Sequence, residues 1–484
     1  MNRKIVFHMV GQILKLEAVL LLFPFVVSLI YLKTDGVSDL IAFAITIGIT
    51  LAVGFLLTLI CKTKKKDIFA KEGFVITALA WILLSAVGAL PFVISGAIPN
   101  YVDAFFETVS GFTTTGASIL HGTQIEALSH GMLFWRSFTH WIGGMGILVL
   151  IVAILPTVSG RTIHVLRAEM PGPTMGKLVP KLKDTAKILY LMYFVLTVVE
   201  MIFLICGKMP VFDSIIHTFG TAGTGGFGLK ADSIASYSPY CQWVITVFML
   251  LFGVNFNLYY LAIIRRIKGT LKSEELWTYL GLAAAATVLV CFNTWTAGNC
   301  ASANIRTSAF QVVSIMTTTG FTTTDINSWP VLSKSVLLIL MFVGACAGST
   351  AGGLKVSRVV LMFKSIRRRL RKMIHPRSVD IVRFEGKPAE ESTLTGVLTY
   401  FAVYMVLFFA IFFIISFDGY SIETNFSATA STFNNIGPAF DSAAGGFFIY
   451  SPLSKIVLSF AMLLGRLEIY PLLLLFSVSS WRGK

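Results

Sequence analysis

Long apolar stretches separated by short polar connections run through the chain from near its first residue to its last. A helix needs roughly 20 mostly apolar residues to cross about 30 Å of hydrocarbon, and the pattern predicts ten such spans. A cleaved signal is not expected at the start, because Lys15 and Glu17 interrupt the first stretch and a second span follows at once. The predicted spans are 12–32, 39–61, 73–98, 131–157, 186–206, 243–264, 276–293, 335–363, 395–416 and 453–479.

The composition leads to the same conclusion. Of the 484 residues, 55% are hydrophobic and only 13% are charged, which is about half the charged fraction of a soluble protein. Such a surface must face lipid, so we expect an all-α polytopic membrane protein. The six cysteines do not cluster as a disulfide framework or a zinc site would require, and we expect reduced thiols. They are Cys61, Cys206, Cys241, Cys291, Cys300 and Cys346.

The charges alternate between successive connections. The net charge is +15, and because basic connections stay in the cytoplasm, both termini are predicted to be cytoplasmic. The opposite connections carry more acids than bases, Glu107 among the acids, which indicates either a cation-attracting outer surface or ordinary solvated loops. This distribution follows topology, so no nucleic acid binding is expected. Most of the bases lie near the two termini and at 62–71, 161–187, 265–272 and 355–387.

Four short segments on the predicted outer side are too polar to cross the membrane and too apolar to be simple loops. Aligned on their last glycine, they begin with N-cap residue types, and the glycines recur at intervals of roughly a hundred residues. The chain therefore consists of four repeats of span, short helix, glycine strip and span, behind two extra spans. The segments are Asp103–Gly116, Asp213–Gly226, Thr307–Gly320 and Thr424–Gly437.

These repeats define the predicted domain organisation. Residues 1–66 form two N-terminal transmembrane helices and 67–160 form pore repeat 1. Pore repeat 2 covers 161–270, pore repeat 3 covers 271–375 with an intramembrane gating loop, and pore repeat 4 covers 376–484.

Irregular backbone at membrane depth is tolerated only where it is buried in protein or lines water. Four glycine strips around one axis would supply carbonyl oxygens that replace an ion's hydration shell, and glycine reaches the positive φ that this needs. The carboxyl ends of the short helices would favour a cation. The predicted ion-binding residues are Thr114, Thr115, Gly116, Thr224, Gly225, Gly226, Thr318, Thr319, Gly320, Asn435, Ile436 and Gly437.

Gly223, Gly225 and Gly228 also match G-x-G-x-x-G. A dinucleotide site requires a strand before this motif, whereas a short outer helix precedes it here, so no such site is expected.

The span at 335–363 contains four glycines between Gly344 and Gly353. They indicate either close packing of small residues against another helix or an unwound segment that gates the ion path. Arg466 lies inside the last span, where a charge is usually functional or paired. The alternative to a gating role is a pair with Glu468 or Glu200.

The sequence resembles the TrkH/TrkG branch of the potassium transporter superfamily that also contains KtrB and the plant HKT proteins, over essentially the whole chain. Two spans before the first repeat favour this branch. The motifs that carry the resemblance are Phe112–Gly116, Phe134–Arg136, Trp141–Gly146, Gly253–Phe256, Cys346–Gly353, Asn434–Pro438 and Gly465–Glu468.

The resemblance implies a potassium filter that is narrowest at the four final glycines. It implies an intramembrane gating loop below the filter, which Arg466 touches and which is formed by Gly348, Ser349, Thr350, Ala351, Gly352 and Gly353. It also implies a homodimer in a bacterial inner membrane, contacting lipid, with TrkA-type nucleotide-binding subunits on its basic cytoplasmic face. Gly225 departs from the commoner Thr- or Ala-containing strip, and this departure bears on potassium over sodium selectivity. In the plant branch a serine in place of Gly116 accompanies sodium preference, so Gly116 favours potassium.

We therefore predict potassium uptake through a gated, channel-like pore with a filter of four loops. The alternative is a coupled secondary transporter, a K⁺/H⁺ or K⁺/Na⁺ symporter, that uses the same filter. Transporters often contain inverted repeats, whereas these repeats run in one direction, which favours a pore. No enzyme activity and no organic cofactor are expected, because the seven histidines are scattered and no catalytic constellation is evident.

Overall fold

The structure is a computed structural model, and it describes residues 1–62, 69–146, 182–265, 267–295, 301–378 and 380–481. The predicted domain boundaries at 66/67 and 160/161, Cys300 and most of the basic segment 161–187 lie outside the described residues. The regular secondary structure of the described residues is helical, apart from one short antiparallel pair of strands, β1 (Arg383–Phe384) with β2 (Lys387–Pro388). The predicted all-α class is confirmed.

Two long helical segments precede the repeats. α1 (Arg3–Leu20) and α2 (Leu22–Ile30) form one apolar stretch, and α4 (Ser38–Ile60) returns beside it after the single turn α3 (Leu32–Asp35). An ideal Cβ at Gly11 would lie 2.9 Å from the carbonyl oxygen of Gly54. Small residues therefore allow α1 and α4 to approach closely, as is common in membranes.

Each repeat contains a first helix, a short pore helix and a second helix, and the second helix is broken in repeats 2 to 4. Repeat 1 contains α5 (Ala70–Gly88), α6 (Leu90–Ile94), pore helix α7 (Tyr101–Phe112), α8 (Thr123–Glu126) and α9 (His130–Met145). Repeat 2 contains α10 (Leu182–Cys206), pore helix α11 (Val211–Gly223), α12 (Pro239–Phe252), α13 (Phe256–Ile263) and α14 (Ile267–Leu271). Repeat 3 contains α15 (Glu274–Asn293), pore helix α16 (Ala301–Met316), α17 (Val331–Met341) and α18 (Val356–Ile374). Repeat 4 contains α19 (Glu391–Ile415), pore helix α20 (Ile422–Phe433), α21 (Pro452–Arg466), α22 (Tyr470–Phe476) and α23 (Val478–Trp481). Short 3₁₀ helices cover Ile326–Ser328, Ser416–Asp418, Asp441–Gly445 and Phe447–Ile449.

Among the described residues, 6 helices are long and apolar enough to cross a membrane. They match the two predicted N-terminal spans and the first span of each repeat. The second spans of repeats 2 and 4 were predicted to be continuous, and this prediction is wrong. For the second span of repeat 3, the sequence left close packing or an unwound segment open, and the structure shows that this span is broken. α12 and α13 meet at an angle of 89°, α17 and α18 are separated by the glycine-rich segment, and α21 ends before two residues of positive φ, Glu468 and Ile469. The count of ten spans stays a prediction.

The repeats are arranged in a closed ring. Each second helix packs against the pore helix of its own repeat and also against that of the next repeat. Thus α9 contacts α11, α12 contacts α16, α17 contacts α20, and α21 returns to α7. This cyclic order places the four pore helices around one axis.

The predicted N-caps of the pore helices are wrong. α7 is capped by Asn100, whose side chain accepts a hydrogen bond from the Val102 amide at 2.9 Å. α20 is capped by Ser421, which accepts from the Thr424 amide at 3.1 Å. In these two helices a strong capping residue stands before the aligned position, whereas α11 begins after Pro210 without a side-chain cap. The four residues predicted as caps lie inside the helices: Asp103, Asp213, Thr307 and Thr424.

Candidate functional site: a ring of four backbone strips

A short strip of non-helical backbone follows each pore helix, and the four strips share one conformation. The first residue of each strip has a φ between 54° and 57°, and the last residue, a glycine, has a φ between 78° and 101°. The glycine conformation agrees with the prediction. The left-handed first residue was not predicted, because threonine, which stands first in strips 1 to 3, seldom adopts this conformation. We call Thr114–Gly116 strip 1, Thr224–Gly226 strip 2, Thr318–Gly320 strip 3 and Asn435–Gly437 strip 4.

One hydrogen bond recurs in all four strips. The amide of the middle residue donates to the carbonyl of the residue five positions earlier in the pore helix. The distance is 2.9 Å from Thr115 to Ser110, and it is 2.8 Å from Gly225 to Gly220. The equivalent pairs in strips 3 and 4 are both at 2.9 Å, from Thr319 to Ser314 and from Ile436 to Ser431. Each strip is therefore fastened to the end of its own helix in the same way.

The strips stand next to one another in cyclic order. An ideal Cβ placed on Gly116 would overlap the carbonyl oxygen of Gly225, and one on Gly226 would overlap that of Thr319. An ideal Cβ on Gly320 would overlap the carbonyl oxygen of Ile436. The ring closes where an ideal Cβ on Gly437 would lie 2.7 Å from the carbonyl oxygen of Thr115. A backbone oxygen of each strip thus lies against the glycine of the strip before it.

The segment predicted as a gating loop is not helical and lies against two of the strips. The amide of Gly352 donates to the Thr318 hydroxyl in strip 3 at 2.8 Å. An ideal Cβ on Gly352 would lie 2.7 Å from Cβ of Asn435 in strip 4. The structure therefore places Gly348–Gly353 beside strips 3 and 4.

Two elements outside this loop hold its ends. The Glu275 carboxylate, at the start of α15, accepts hydrogen bonds from the amides of Ala347 at 2.7 Å and Ser357 at 3.1 Å. On the other side, the break between α12 and α13 pairs with the loop through Phe256 N to Gly348 O and Cys346 N to Gly253 O, both at 3.1 Å. Sequence reasoning missed Glu275 because its partners are backbone groups far along the chain.

Arg466 links the loop to repeat 1. Its guanidinium donates to the carbonyl oxygens of Thr350 at 2.7 Å, Gly143 at 2.5 Å and Gly144 at 2.7 Å. Glu468, the alternative partner, forms an ion pair with Arg358. The arginine therefore bridges the loop and the carboxyl end of α9.

A buried lysine beside the loop was not among the predicted residues. Lys355 is 1% exposed, and its ammonium group donates to the carbonyl oxygens of Ala351 and, at 3.1 Å, of Gly352. Its position inside a predicted apolar span could have indicated a functional residue. It was missed because it was counted with the basic cytoplasmic connection at 355–387.

The assignment of Glu107 to the acidic outer surface is wrong. Glu107 is buried and forms an ion pair with Arg136 at 2.6 Å. The carboxylate also accepts from the Ile119 amide at 2.9 Å, just after strip 1. Arg136 donates to the carbonyl of Gly228, just after strip 2, at 3.1 Å. The pair therefore joins the chain segments that leave the first two strips.

Comparison with known proteins identifies the family. The TrkH family model, described as cation transport protein, matches residues 40–482. The chain belongs to the TrkH family of cation transport proteins. The Trk system potassium uptake protein TrkH of Escherichia coli (strain K12) is 37% identical over 100% of both chains. TrkG of the same organism is 34% identical over 99% of both chains.

A solved structure supports the same assignment. The crystal structure of the potassium transporter TrkH from Vibrio parahaemolyticus matches with a TM-score of 0.88 at 32% identity, over 100% of both chains. The predicted resemblance is confirmed. As a TrkH family member the chain is a multi-pass membrane transport protein and not an enzyme, as predicted.

Proposed function

We propose that the chain mediates potassium uptake through a gated, channel-like pore on the axis of the four strips. The closed order of strips 1 to 4 carries this proposal, because it gathers backbone oxygens of all four repeats in one place. Carbonyl oxygens can replace the hydration shell of an alkali cation. The names of the TrkH and TrkG relatives as potassium uptake proteins support potassium as the ion. The ion-binding residues of this proposal are those of the four strips.

The gate in this proposal is the loop Gly348–Gly353 together with Arg466. The loop contacts strips 3 and 4, so an ion leaving the ring meets it next. Three backbone carbonyls fix the guanidinium of Arg466 across the loop and α9. Bonds between a charged donor and a neutral acceptor contribute about 1.5–3 kcal/mol each. A structure closed in this way must break several of them to open.

The proposal also covers the membrane topology of the chain and its partners. We propose cytoplasmic termini in a bacterial inner membrane, the four repeat boundaries given above, a homodimer, and a TrkA-type nucleotide-binding regulatory subunit. A groove between α18 and α19 is lined by Arg368, Arg369 and Lys372 and by Glu391, which pairs with Arg368 at 2.6 Å. The excess of bases suits an acidic partner surface. The phrase Trk system in the names of the relatives is consistent with several components.

Cation flux in liposomes tests the function. The purified chain, reconstituted into liposomes, is expected to carry potassium and rubidium faster than sodium, with empty liposomes as the control. Equal rates for the three ions, or no flux above the control, would contradict the proposal. A single-channel current without a gradient of any second ion would favour the pore. Uptake that stops when a proton or sodium gradient is removed would instead favour coupled symport.

A further inference from the structure

Strip 2 differs from its neighbours in the side chains behind the backbone. In strip 1 the hydroxyls of Thr113 and Thr115 lie 2.7 Å apart, and in strip 3 those of Thr317 and Thr319 lie 2.8 Å apart. Each hydroxyl pair joins the end of the pore helix to the middle of its strip. The equivalent residues of repeat 2 are Gly223 and Gly225, which have no side chains to form such a pair.

His140 occupies the space that these side chains would fill, with its imidazole at Gly225 and its backbone carbonyl group at Gly223. An ideal Cβ on Gly225 would overlap Cγ and Nδ1 of His140, and one on Gly223 would overlap the His140 carbonyl group. The φ of Gly225 is not positive, so its backbone conformation would accept another residue. Space, rather than conformation, therefore requires glycine at position 225.

His140 is fixed between two repeats. It is fully buried in α9, and its Nδ1 lies 2.8 Å from the carbonyl oxygen of Gly111 in pore helix 1. Because a carbonyl only accepts, Nδ1 carries the proton. The imidazole ring also lies against the ring of Phe227, directly after strip 2, with ring centroids 4.2 Å apart. The imidazole is thus held by repeat 1 while it supports strip 2.

We propose that His140 is a specificity-determining positioning residue, which replaces the missing threonine pair of strip 2 and fixes the position of the Gly225 carbonyl. The inference rests on the proposed potassium function. The Gly225 oxygen lies directly against Gly116, so movement of strip 2 changes the ring at its junction with strip 1. A strip without support can adjust to the smaller sodium ion. His140 does not bind the ion itself and acts through Gly225.

A double-mutant cycle tests this assignment. The variants are His140→Ala, Gly225→Thr and the double variant, with His130→Ala as the matched control on the same helix. His130 stacks on Tyr31 with ring centroids 3.9 Å apart, away from the strips. Rubidium and sodium fluxes are measured in liposomes, and the melting temperature of each protein is measured in detergent.

We expect His140→Ala to lower the ratio of rubidium to sodium flux about fivefold, because strip 2 loses its support. Coupling between residues in contact is strong enough for a change of this size. Gly225→Thr should lower it as well, because the threonine meets the imidazole. The double variant should recover most of the ratio, because the threonine then fills the space that the imidazole vacated behind strip 2. His130→Ala should keep the wild-type ratio.

A wild-type ratio in either single variant, or a double variant no better than the worse single one, would overturn the role of His140. If the single variants do not fold, a double variant that folds and is selective supports the role, and one that does not fold overturns it. A wild type that does not discriminate between the ions would overturn the proposed function instead. In that case the melting temperatures of the same four proteins still test whether His140 and Gly225 complement each other.

Discussion

Arg136 and Glu107 form a buried ion pair at 2.6 Å that joins α9 to pore helix 1. The guanidinium also lies over the ring of Phe227, 3.5 Å from its centroid. Removing one member of a buried pair leaves an unpaired charge and costs about 3–5 kcal/mol. We therefore expect Glu107→Gln to lower the melting temperature of the protein, measured in detergent.

The double variant Glu107→Gln with Arg136→Gln should be more stable than Glu107→Gln alone, because it leaves no lone charge. The exposed pair of Arg371 and Asp380, at 3.4 Å, provides the control, since exposed pairs contribute about 0–1 kcal/mol. If Glu107→Gln melted no lower than Asp380→Asn, the buried pair would not have the structural importance that its position indicates.

Arg466→Ala should loosen the gate and raise flux. The substitution removes the hydrogen bonds to the carbonyls of Thr350, Gly143 and Gly144. Arg466→Lys is the matched variant. It keeps the charge but cannot span three acceptors with one planar group, so we expect an intermediate effect. Rubidium flux in liposomes measures both, and unchanged flux in Arg466→Ala would contradict a gating role.

Glu275→Ala should raise basal flux, because both ends of the gating loop lose their shared acceptor. A buried amide that loses its partner costs about 1–3 kcal/mol, and two amides are affected here. Glu275→Gln keeps a carbonyl oxygen that can accept both bonds, so it should remain closer to the wild type. Equal rubidium flux in all three proteins would show that this anchor does not control the loop.

Gly116→Ser should reduce potassium over sodium selectivity. The added Cβ would overlap the carbonyl oxygen of Gly225 in the neighbouring strip, at a φ of +78°. Gly96→Ser is the control, since Gly96 has a φ of +79° and nothing within 4 Å of its ideal Cβ. The two substitutions therefore share the backbone strain and differ in the contact. If the reversal potentials shifted equally in both variants, the change in selectivity would come from backbone strain and not from the contact with Gly225 in the ring.

The sequence predicted the features that repeat. The long apolar stretches located the first helices, and the aligned glycines Gly116, Gly226, Gly320 and Gly437 marked the strips. Hydropathy could not locate the breaks in the second helices, because Glu468 and the segment around Asn255 are short interruptions within long apolar stretches. A break of this kind depends on tertiary hydrogen bonds that replace the helical ones.

Contacts between distant segments of the chain were also beyond sequence reasoning. His140 lies behind Gly225 of the next repeat, whereas Glu275 contacts Ala347 within its own repeat, and only tertiary packing brings either pair together. Glu107 was assigned to the outer surface because its segment begins there, whereas the pore helix carries it inward to Arg136. His140, Glu275 and Glu107 are polar and buried, and the partner of each lies in another segment of the chain. Local pattern therefore found the repeated unit, and packing determined the contacts between its segments.

We propose that strips 1 to 4 surround one ion path. Anomalous diffraction from crystals of the protein soaked in rubidium or thallium tests this arrangement. We expect anomalous density on the axis between the four strips, beside Gly116, Gly226, Gly320 and Gly437. Density confined to sites outside the ring, in crystals that take up the ion, would contradict it.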